Sequence, residues 1–596
     1  MSPLITQYVA TARQAREADH QAIDGLKIPS LILMENAAQS VCRSIQKHDF
    51  SKDAKRILIV CGPGNNGADG LACARILLLQ NRAVRVFVNL DILSGDGKIQ
   101  LQALAELAIS NACSLTCLFV NKALERKGQL WRFDAGAKTD AEKPDDADNS
   151  DKETLENLKT LDRNSGENSE GAFAAYGLDR LPSQIVPLLN TLKEEAEHAD
   201  LLVDALFGNG LNRTLQAPFC DYVNLLNKAK TPIVSIDVPS GIDGTTGKVL
   251  GSAIRADLTV ALDCLKWGLL LNNGPAHAGS IEIADIGIPA FLHEKAAEPK
   301  LFTRKDALEY LPRRSNFSHK GTFGKLLLCG GSARMQGAIC MSAKAAFSSG
   351  CGTLTLFTPK DAAKAIAAKM DLAMILRADQ DAEGWFAPGS AKLLSAAIDR
   401  CDVIGAGNGM GTGLGAQEVV QEVLKADRPC VLDADAINIL SLDNHIQWLD
   451  AHDEPIILTP HLMEFARLVH APLEQIESDP LTLAQDFCAK HPQVTLVLKS
   501  DFTLVCSQNS HFVIHRPDSA LAKGGSGDAL CGIISGLLSA GLKPDQAAVL
   551  GAWIHNESAR AARSPWSFSP EKLIDALEDT FHSLECEQHE ADRSVL

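Results

Sequence analysis

Near the C-terminal end of this chain, the run Ala522-Lys523-Gly524-Gly525-Ser526-Gly527-Asp528-Ala529-Leu530 gathers glycines just ahead of an apolar stretch, Leu530 to Leu542, that Gly541 and Pro544 close. The pattern predicts a loop feeding a helix N-terminus. Glycines let backbone N–H groups come close to an anion, and the free N–H groups and positive dipole end of the helix stabilise phosphate charge. Asp528 suits an N-cap. Beside a phosphate it makes sense as a base that takes a proton from a hydroxyl while the amides of Gly525 to Gly527 hold the phosphoryl group. The alternative is a plain glycine turn capped by an acid.

Other chemistry-bearing residues fall at the ends of apolar runs. Ile57 to Val60 leads into Cys61-Gly62-Pro63-Gly64-Asn65-Asn66-Gly67-Ala68-Asp69-Gly70 and then an apolar helix, Leu71 to Leu79. Strand, glycine-rich loop and helix build nucleotide sites at the carboxyl edge of parallel sheets. Here amide side chains and a carboxylate suit hydrogen bonding to a sugar, a ring or a cation, against the alternative of a structural turn. Asp204, in Leu201 to Gly210, and Asp237, in Ile233 to Gly241, each end a buried strand. Carboxylates at strand edges are costly as structure and useful as chemistry, although each alone would serve as a turn cap. Further on, Ile404 to Gly409, Val431 to Asn438, Leu458 to His461 and Val497 to Asp501 recur at strand ends. His461 gains weight from its place in that series, since a lone histidine in a turn is ordinarily structural.

These residues need parallel sheets to position them. Strands alternate with helical sequence in both halves, including Val84 to Val88, Leu258 to Leu262, Leu326 to Cys329 and Leu354 to Phe357, which predicts doubly wound α/β layers. Two such domains are expected in the 596 residues, 1–290 and 303–585, with a linker at 291–302 and a tail at 586–596. The polar, acid-rich stretch 134–170 has few core-forming residues and reads as a disordered insertion in the first domain. A net charge of -17 argues against a nucleic-acid groove. It leaves room for a nucleotide held by backbone amides. The sixteen cysteines show no paired C-x-x-C spacing and read as thiols of a reducing compartment. With no basic-then-apolar leader and no apolar run of spanning length, a cytoplasmic protein without a membrane partner is expected.

Taken in order, GNNGAD, VDALFGNG and IDVPSGID resemble the YjeF N-terminal family, the NAD(P)HX epimerases, over about Thr11 to Pro289. The resemblance implies a Rossmann-like αβα fold, with K+ held by Asn66, Asp204 and Ser240. It also implies that the hydrated dinucleotide contacts Asn65, Asn66, Gly67, Ala68 and Asp69, the loop Gly208, Asn209, Gly210, Leu211, Asn212, Arg213 and Thr214, and Asp237. The family has glycine where this chain has Ala68, and an added methyl fits there only if φ is negative. HKGTFGK, DADAIN, TPH, LKSD and KGGSGDALCG resemble the ADP/ATP-dependent NAD(P)HX dehydratases, a ribokinase-like αβα family, over about Arg304 to His582. That resemblance implies contacts from Ala338, Gly407, His461 and Asp528 to the hydrated dinucleotide. Lys499, Ser500, Asp501, Phe502, Thr503 and Gly527 would hold ADP or ATP, with Mg²⁺ bridging its phosphates. The chain departs from the family at Leu462-Met463, at Gly405 to Gly409 and at Leu372. The implied function is repair of NADHX and NADPHX, with Asp237 as epimerase acid/base and Asp528 as dehydratase base; a homo-oligomer is expected. The alternatives are a kinase of a small alcohol, a non-catalytic nucleotide-binding N-terminal half, and a C-terminal half that has lost activity.

Overall fold

The computed structural model describes residues 7–89, 93, 95–110, 115–120, 125, 127, 129–135, 183–295, 297–443 and 445–595. The acidic stretch 134–170 lies outside them beyond residue 135. The chain divides into two compact units, with the break between Glu298 and Pro299.

The first unit is built on a nine-stranded sheet ordered 280–284, 258–262, 233–236, 201–205, 56–61, 83–89, 115–120, 129–135 and 183–187. Pairing is parallel from 280–284 through 115–120 and antiparallel for the last two strands. Strand Arg56–Cys61 shows why this sequence makes a central strand. Ile57, Ile59 and Cys61 point into one core while Leu58 and Val60 point into another, so both faces are covered. Each such side chain contributes roughly 1.5–3 kcal/mol by leaving water. The chain builds outward from this strand in one direction and later returns to build in the other, starting with Leu201–Ala205. The crevice at the carboxyl ends of these two neighbours is the switch point, where doubly wound sheets bind ligands.

The second unit carries a ten-stranded sheet ordered 300–301, 511–514, 503–506, 494–499, 456–458, 430–432, 403–406, 325–329, 353–359 and 374–378. Its switch point falls between Lys325–Cys329 and Val403–Ala406. Helix Ser526–Ser539 packs tightly on helix Gln336–Ser348. A Cβ on Gly532 would meet the Ser342 carbonyl oxygen at 2.1 Å, and Ser342 Oγ donates to the Asp528 carbonyl at 2.9 Å.

Several expectations are corrected here. The break between the units falls inside the expected linker 291–302, which carries structure of its own: Phe291–Lys295 is helical, and Lys300–Leu301 pairs with the strand His511–Ile514. Residues 586–595 of the expected tail belong to the helix Leu577–Val595. The helix after Gly64 begins at Asn65, not at Leu71, so the Asn-Asn-Gly-Ala-Asp run is its first turns. Asp528 is not an N-cap. Gly525, at φ 99°, takes that position and leaves Asp528 inside the first turn. Among the described residues no helix is long and apolar enough to cross a membrane.

Candidate active sites

In the first unit, a cavity of about 530 Å³ opens at the switch point. Asn65, Asn66, Asp69, the loop Gly208 to Arg213 and Asp237 line it. Gly67, Ala68 and Thr214 are not part of its wall. A Cβ on Gly67 would meet the Gly62 carbonyl oxygen at 2.0 Å, so this glycine serves close packing of helix on loop. Ala68 is helical and fully buried, so its methyl meets the requirement for negative φ and joins the core. Ala15, Arg16 and Asp19 reach the cavity from helix Ala12–His20, which a Thr11/Gln14 capping box starts.

Asp237 follows strand Ile233–Ile236 with φ 68°, a backbone conformation rare outside glycine. One carboxylate oxygen accepts from the Asn209 N–H at 3.0 Å, and the other lies 2.6 Å from Lys266 Nζ. Lys266 is 2% exposed and also donates to the Leu262 carbonyl. Pairing of Leu265–Lys266 with Val9–Ala10 holds it in place. Burial works against its charge, but Asp237 outweighs that and keeps the ammonium protonated above its usual range. Asp69 is held well above the carboxylate range, first by burial and then by the charges of Asp237, Asp19 and Asp96. The cavity therefore presents a carboxylate–ammonium pair and a carboxyl group able to donate.

Beneath the wall, Asp204 is 1% exposed and accepts from the Ser235 hydroxyl at 2.8 Å and from the Ser240 hydroxyl and N–H at 2.5 and 2.9 Å. Burial raises its pKa, and the Ser240 bonds oppose this. With its amide turned to satisfy both neighbours, Asn66 donates to the Ile236 carbonyl at 3.2 Å and accepts from the Gly208 N–H at 3.3 Å. Asp204 and Ser240 are bonded to each other, Asn66 reaches the end of the next strand at Ile236, and all three offer hard oxygen donors. The bonded partners of the buried Asp204 carboxylate are hydroxyls and amides rather than a cationic side chain. That donor set fits an alkali cation.

In the second unit, Asp528 Oδ1 accepts from the Asn408 side-chain amide at 2.8 Å. The same amide donates to Asp433 at 2.9 Å, and Asp433 in turn takes bonds from Lys499 Nζ at 3.0 Å and the Thr459 hydroxyl at 2.7 Å. Burial, followed by the charge of Asp433, pushes Asp528 up to about 6. A Cβ on Gly527 would sit 3.5 Å from Lys499 Nζ, so the ammonium stands over the first turn of the helix. Gly407, at φ 127°, leaves no room for a side chain, since a Cβ would strike the Asp433 carbonyl oxygen at 1.8 Å. Ala338 lies nearby, with its Cβ 3.0 Å from where one on Gly409 would be. His461 caps helix Leu462–Leu468, accepting at Nδ1 from the Glu464 N–H at 3.2 Å, and bridges to Lys499 through the backbone. Burial lowers its pKa. Ser500 and Asp501 are exposed in the turn after Lys499, whereas Phe502 and Thr503 are buried. The departures at Met463 and Leu372 are exposed side chains, and Glu464 keeps its bond to the His461 N–H at 2.9 Å.

Sequence reasoning gave no role to Asn408, Asp433 or Lys266. Asp433 carries the same strand-end signal as Asp204 and Asp237, because it directly follows Cys430–Leu432. Asn408 sits between two glycines, and only the fold reveals that it faces two acids. Lys266 had no local signal beyond a cation in a buried run.

The family model for the YjeF-related protein N-terminus matches residues 30–127 and 145–268, and that for NAD(P)H-hydrate dehydratase matches 326–579. The bifunctional NAD(P)H-hydrate repair enzyme of Moorella thermoacetica is 31% identical over 587 residues, 97% of each chain. Its Salinibacter ruber counterpart is 31% identical over 576 residues, 95% of this chain and 94% of that one. The ADP/ATP-dependent NAD(P)H-hydrate dehydratase from Bacillus subtilis, co-crystallised with ATP/Mg2+, is 28% identical with a TM-score of 0.42, covering 48% of this chain and 98% of that one. With both halves matched and near-complete coverage at that identity, the chain belongs to the family of bifunctional NAD(P)H-hydrate repair enzymes.

Proposed function

We propose that the first unit interconverts the R and S forms of NADHX and NADPHX, and that the second dehydrates the S form to NADH or NADPH using ADP or ATP. The observation that carries this is Asp528: an acid whose pKa is about 6, on the first turn of a helix, with Lys499 standing over Gly527. The hydrated carbon carries a hydroxyl next to the ring nitrogen, and water leaves it poorly near neutral pH. Asp528 takes the hydroxyl proton as the phosphoryl group passes to that oxygen. The amides of Gly525 to Gly527 and the Lys499 ammonium stabilise the charge in transit. The nitrogen lone pair then expels phosphate, leaving an iminium, and loss of a proton from the adjacent ring carbon to the departing phosphate or to water restores the double bond. Ala338, Gly407 and His461 are assigned to the dinucleotide, and Lys499 to Thr503 with Gly527 to the adenine nucleotide. Mg²⁺ would neutralise charge on the donor phosphates.

In the first unit Asp237 is assigned as the acid/base, steadied by Lys266. Asn65, Asn66, Asp69 and the Gly208 to Arg213 loop are assigned to the ligand. K+ at Asn66, Asp204 and Ser240 would balance the buried Asp204 charge. The described cysteines are free and mostly buried, which supports a reducing compartment, the cytoplasm. Sedimentation tests the homo-oligomer.

The testing experiment supplies purified protein with each NADHX epimer and with ADP or ATP, following NADH absorbance. Both epimers are consumed if the reading holds. Consumption of neither would remove it, and a stable phosphorylated product would favour the small-alcohol kinase.

A further inference from the structure

The cavity wall repeats itself. Strand Leu258–Leu262, next to Ile233–Ile236, also ends in an aspartate, Asp263, that lines the cavity. Its φ is 68°, the same as that of Asp237. Each aspartate N–H bonds to the next strand, Asp237 to Val260 at 2.8 Å and Asp263 to Ala284 at 2.7 Å. In each case the following N–H turns back on the strand's last carbonyl, Val238 to Ile236 at 2.9 Å and Cys264 to Leu262 at 2.8 Å. Each carboxylate also meets a buried cation: Lys266 lies 2.6 Å from Asp237, and His293 lies 3.0 Å from Asp263. Left-handed backbone at a non-glycine residue costs energy, and a structure that accepts it twice at one cavity wall is fixing the direction of two side chains.

The groups around His293 are arranged to keep it charged. It is 2% exposed, its Nδ1 lies 2.8 Å from Glu298 Oε2, and the Tyr8 ring stacks on it at 5.1 Å. Tyr8 in turn donates to Glu294, and Cys264 and Lys266 follow Asp263 in the chain. Burial disfavours the imidazolium, but Asp263 and Glu298 outweigh it and hold the ring at about 9. The approach of Asp263 Oδ2 to His293 Nε2 is close but misaligned, and neither atom completes a hydrogen bond. Oδ2 is thus buried against the imidazolium, and it is the rest of the carboxylate that Asp263, as part of the cavity wall, can offer to a ligand.

We infer that Asp263 is a second acid/base carboxylate of the epimerase cavity, with His293 and Glu298 as the residues that position it. This rests on the epimerase reading above. The hydrated carbon is a hemiaminal. Inversion breaks its C–N bond, whose electron pair stays on nitrogen and takes up a proton. The hydroxyl loses its proton, and its O–H electron pair forms the carbonyl. Adding N–H back to the other face of that carbonyl reverses both transfers, so nothing is gained or lost. One group must serve oxygen and another nitrogen, and two matched aspartates on adjacent strands supply them.

The test follows one epimer of NADHX by chromatography, with no adenine nucleotide added, after subtraction of spontaneous epimerisation. Asp263→Asn is expected to lower kcat on the order of 100-fold with KM within threefold. Asp263→Gly, which suits the backbone conformation, is expected to do the same, with an unchanged denaturant-unfolding transition of the first unit as the folding control. His293→Gln is expected to move the acid limb of the kcat profile to higher pH, because it removes a cation beside a carboxylate. A purely structural histidine would change stability and leave that limb in place, and so would overturn the positioning role. Either Asp263 variant retaining wild-type kcat would overturn the carboxylate's role. So would a stoichiometric metal ion lost on His293→Gln, since Asp263, Cys264 and His293 bring ligand atoms within 4.8 Å of one another. If wild-type protein fails to interconvert the epimers, the epimerase reading fails instead.

Discussion

The two units each put an aspartate and a lysine at a switch point and wire them differently. In the first, Lys266 touches Asp237 directly at 2.6 Å. In the second, Lys499 is bound to Asp433, and the Asn408 amide stands between that pair and Asp528. Direct contact compensates a buried charge on the spot. Interposing an amide leaves Asp528 with a hydrogen bond in place of a direct ion pair, and burial with the charge of Asp433 puts its carboxyl at about 6, suited to taking a proton near neutral pH. The difference matches the tasks proposed for them: reversible shuttling of a proton in one site, and one-way removal of a hydroxyl proton against phosphoryl transfer in the other.

The strongest way to break this comparison is Asp528→Asn, expected to lower dehydratase kcat by about 10³-fold or more, while epimerisation continues. NADH recovery at a wild-type rate would remove the base. Next in size is Lys266→Met. It leaves Asp237 buried without its cation, which is expected to cost roughly 3–5 kcal/mol of stability in the first unit, read by denaturant unfolding, and to slow epimerisation about 100-fold. Asn408→Leu sharpens the contrast. The amide bond holds the Asp528 pKa down, so its loss is expected to move the acid limb of the dehydratase profile above about 6. The smallest effect concerns stability. An aspartate whose folded pKa is raised contributes stability below its unfolded value, and that contribution is lost as pH rises through about 6. Asp528→Asn is therefore expected to raise the stability of the second unit by about 1–3 kcal/mol at pH 8. No gain is expected below pH 4, as thermal melting at both pH values would show.

Much of this was legible because buried parallel strands advertise themselves. Ile57 to Val60, Leu201 to Ala205 and Leu326 to Cys329 are apolar on every residue or nearly so, and an acid placed just beyond such a run stands out. Helix starts were less legible. Asn65 to Asp69 look like a loop because Asn, Gly and Asp favour turns, yet Gly64 ahead of them and the packing of Gly67 on Gly62 let the helix begin there. The antiparallel strands Thr503–Cys506 and His511–Ile514 went unread, being short and separated by ordinary polar residues. Long-range partners were illegible in principle. Asn408 and Asp528 are 120 positions apart and Asp263 and His293 are 30 apart, and nothing local records that they meet.

Gly532 sits one turn beyond Asp528, with a neighbouring backbone oxygen where its side chain would be. The carboxylate proposed as the base is thereby placed by two helices in backbone contact, so its location depends on bare backbone rather than on any reactive group. A single methyl at this glycine would wedge the axes apart and carry the aspartate out of reach while every polar residue stayed intact. Its reactivity can thus be lost by a mechanical change alone.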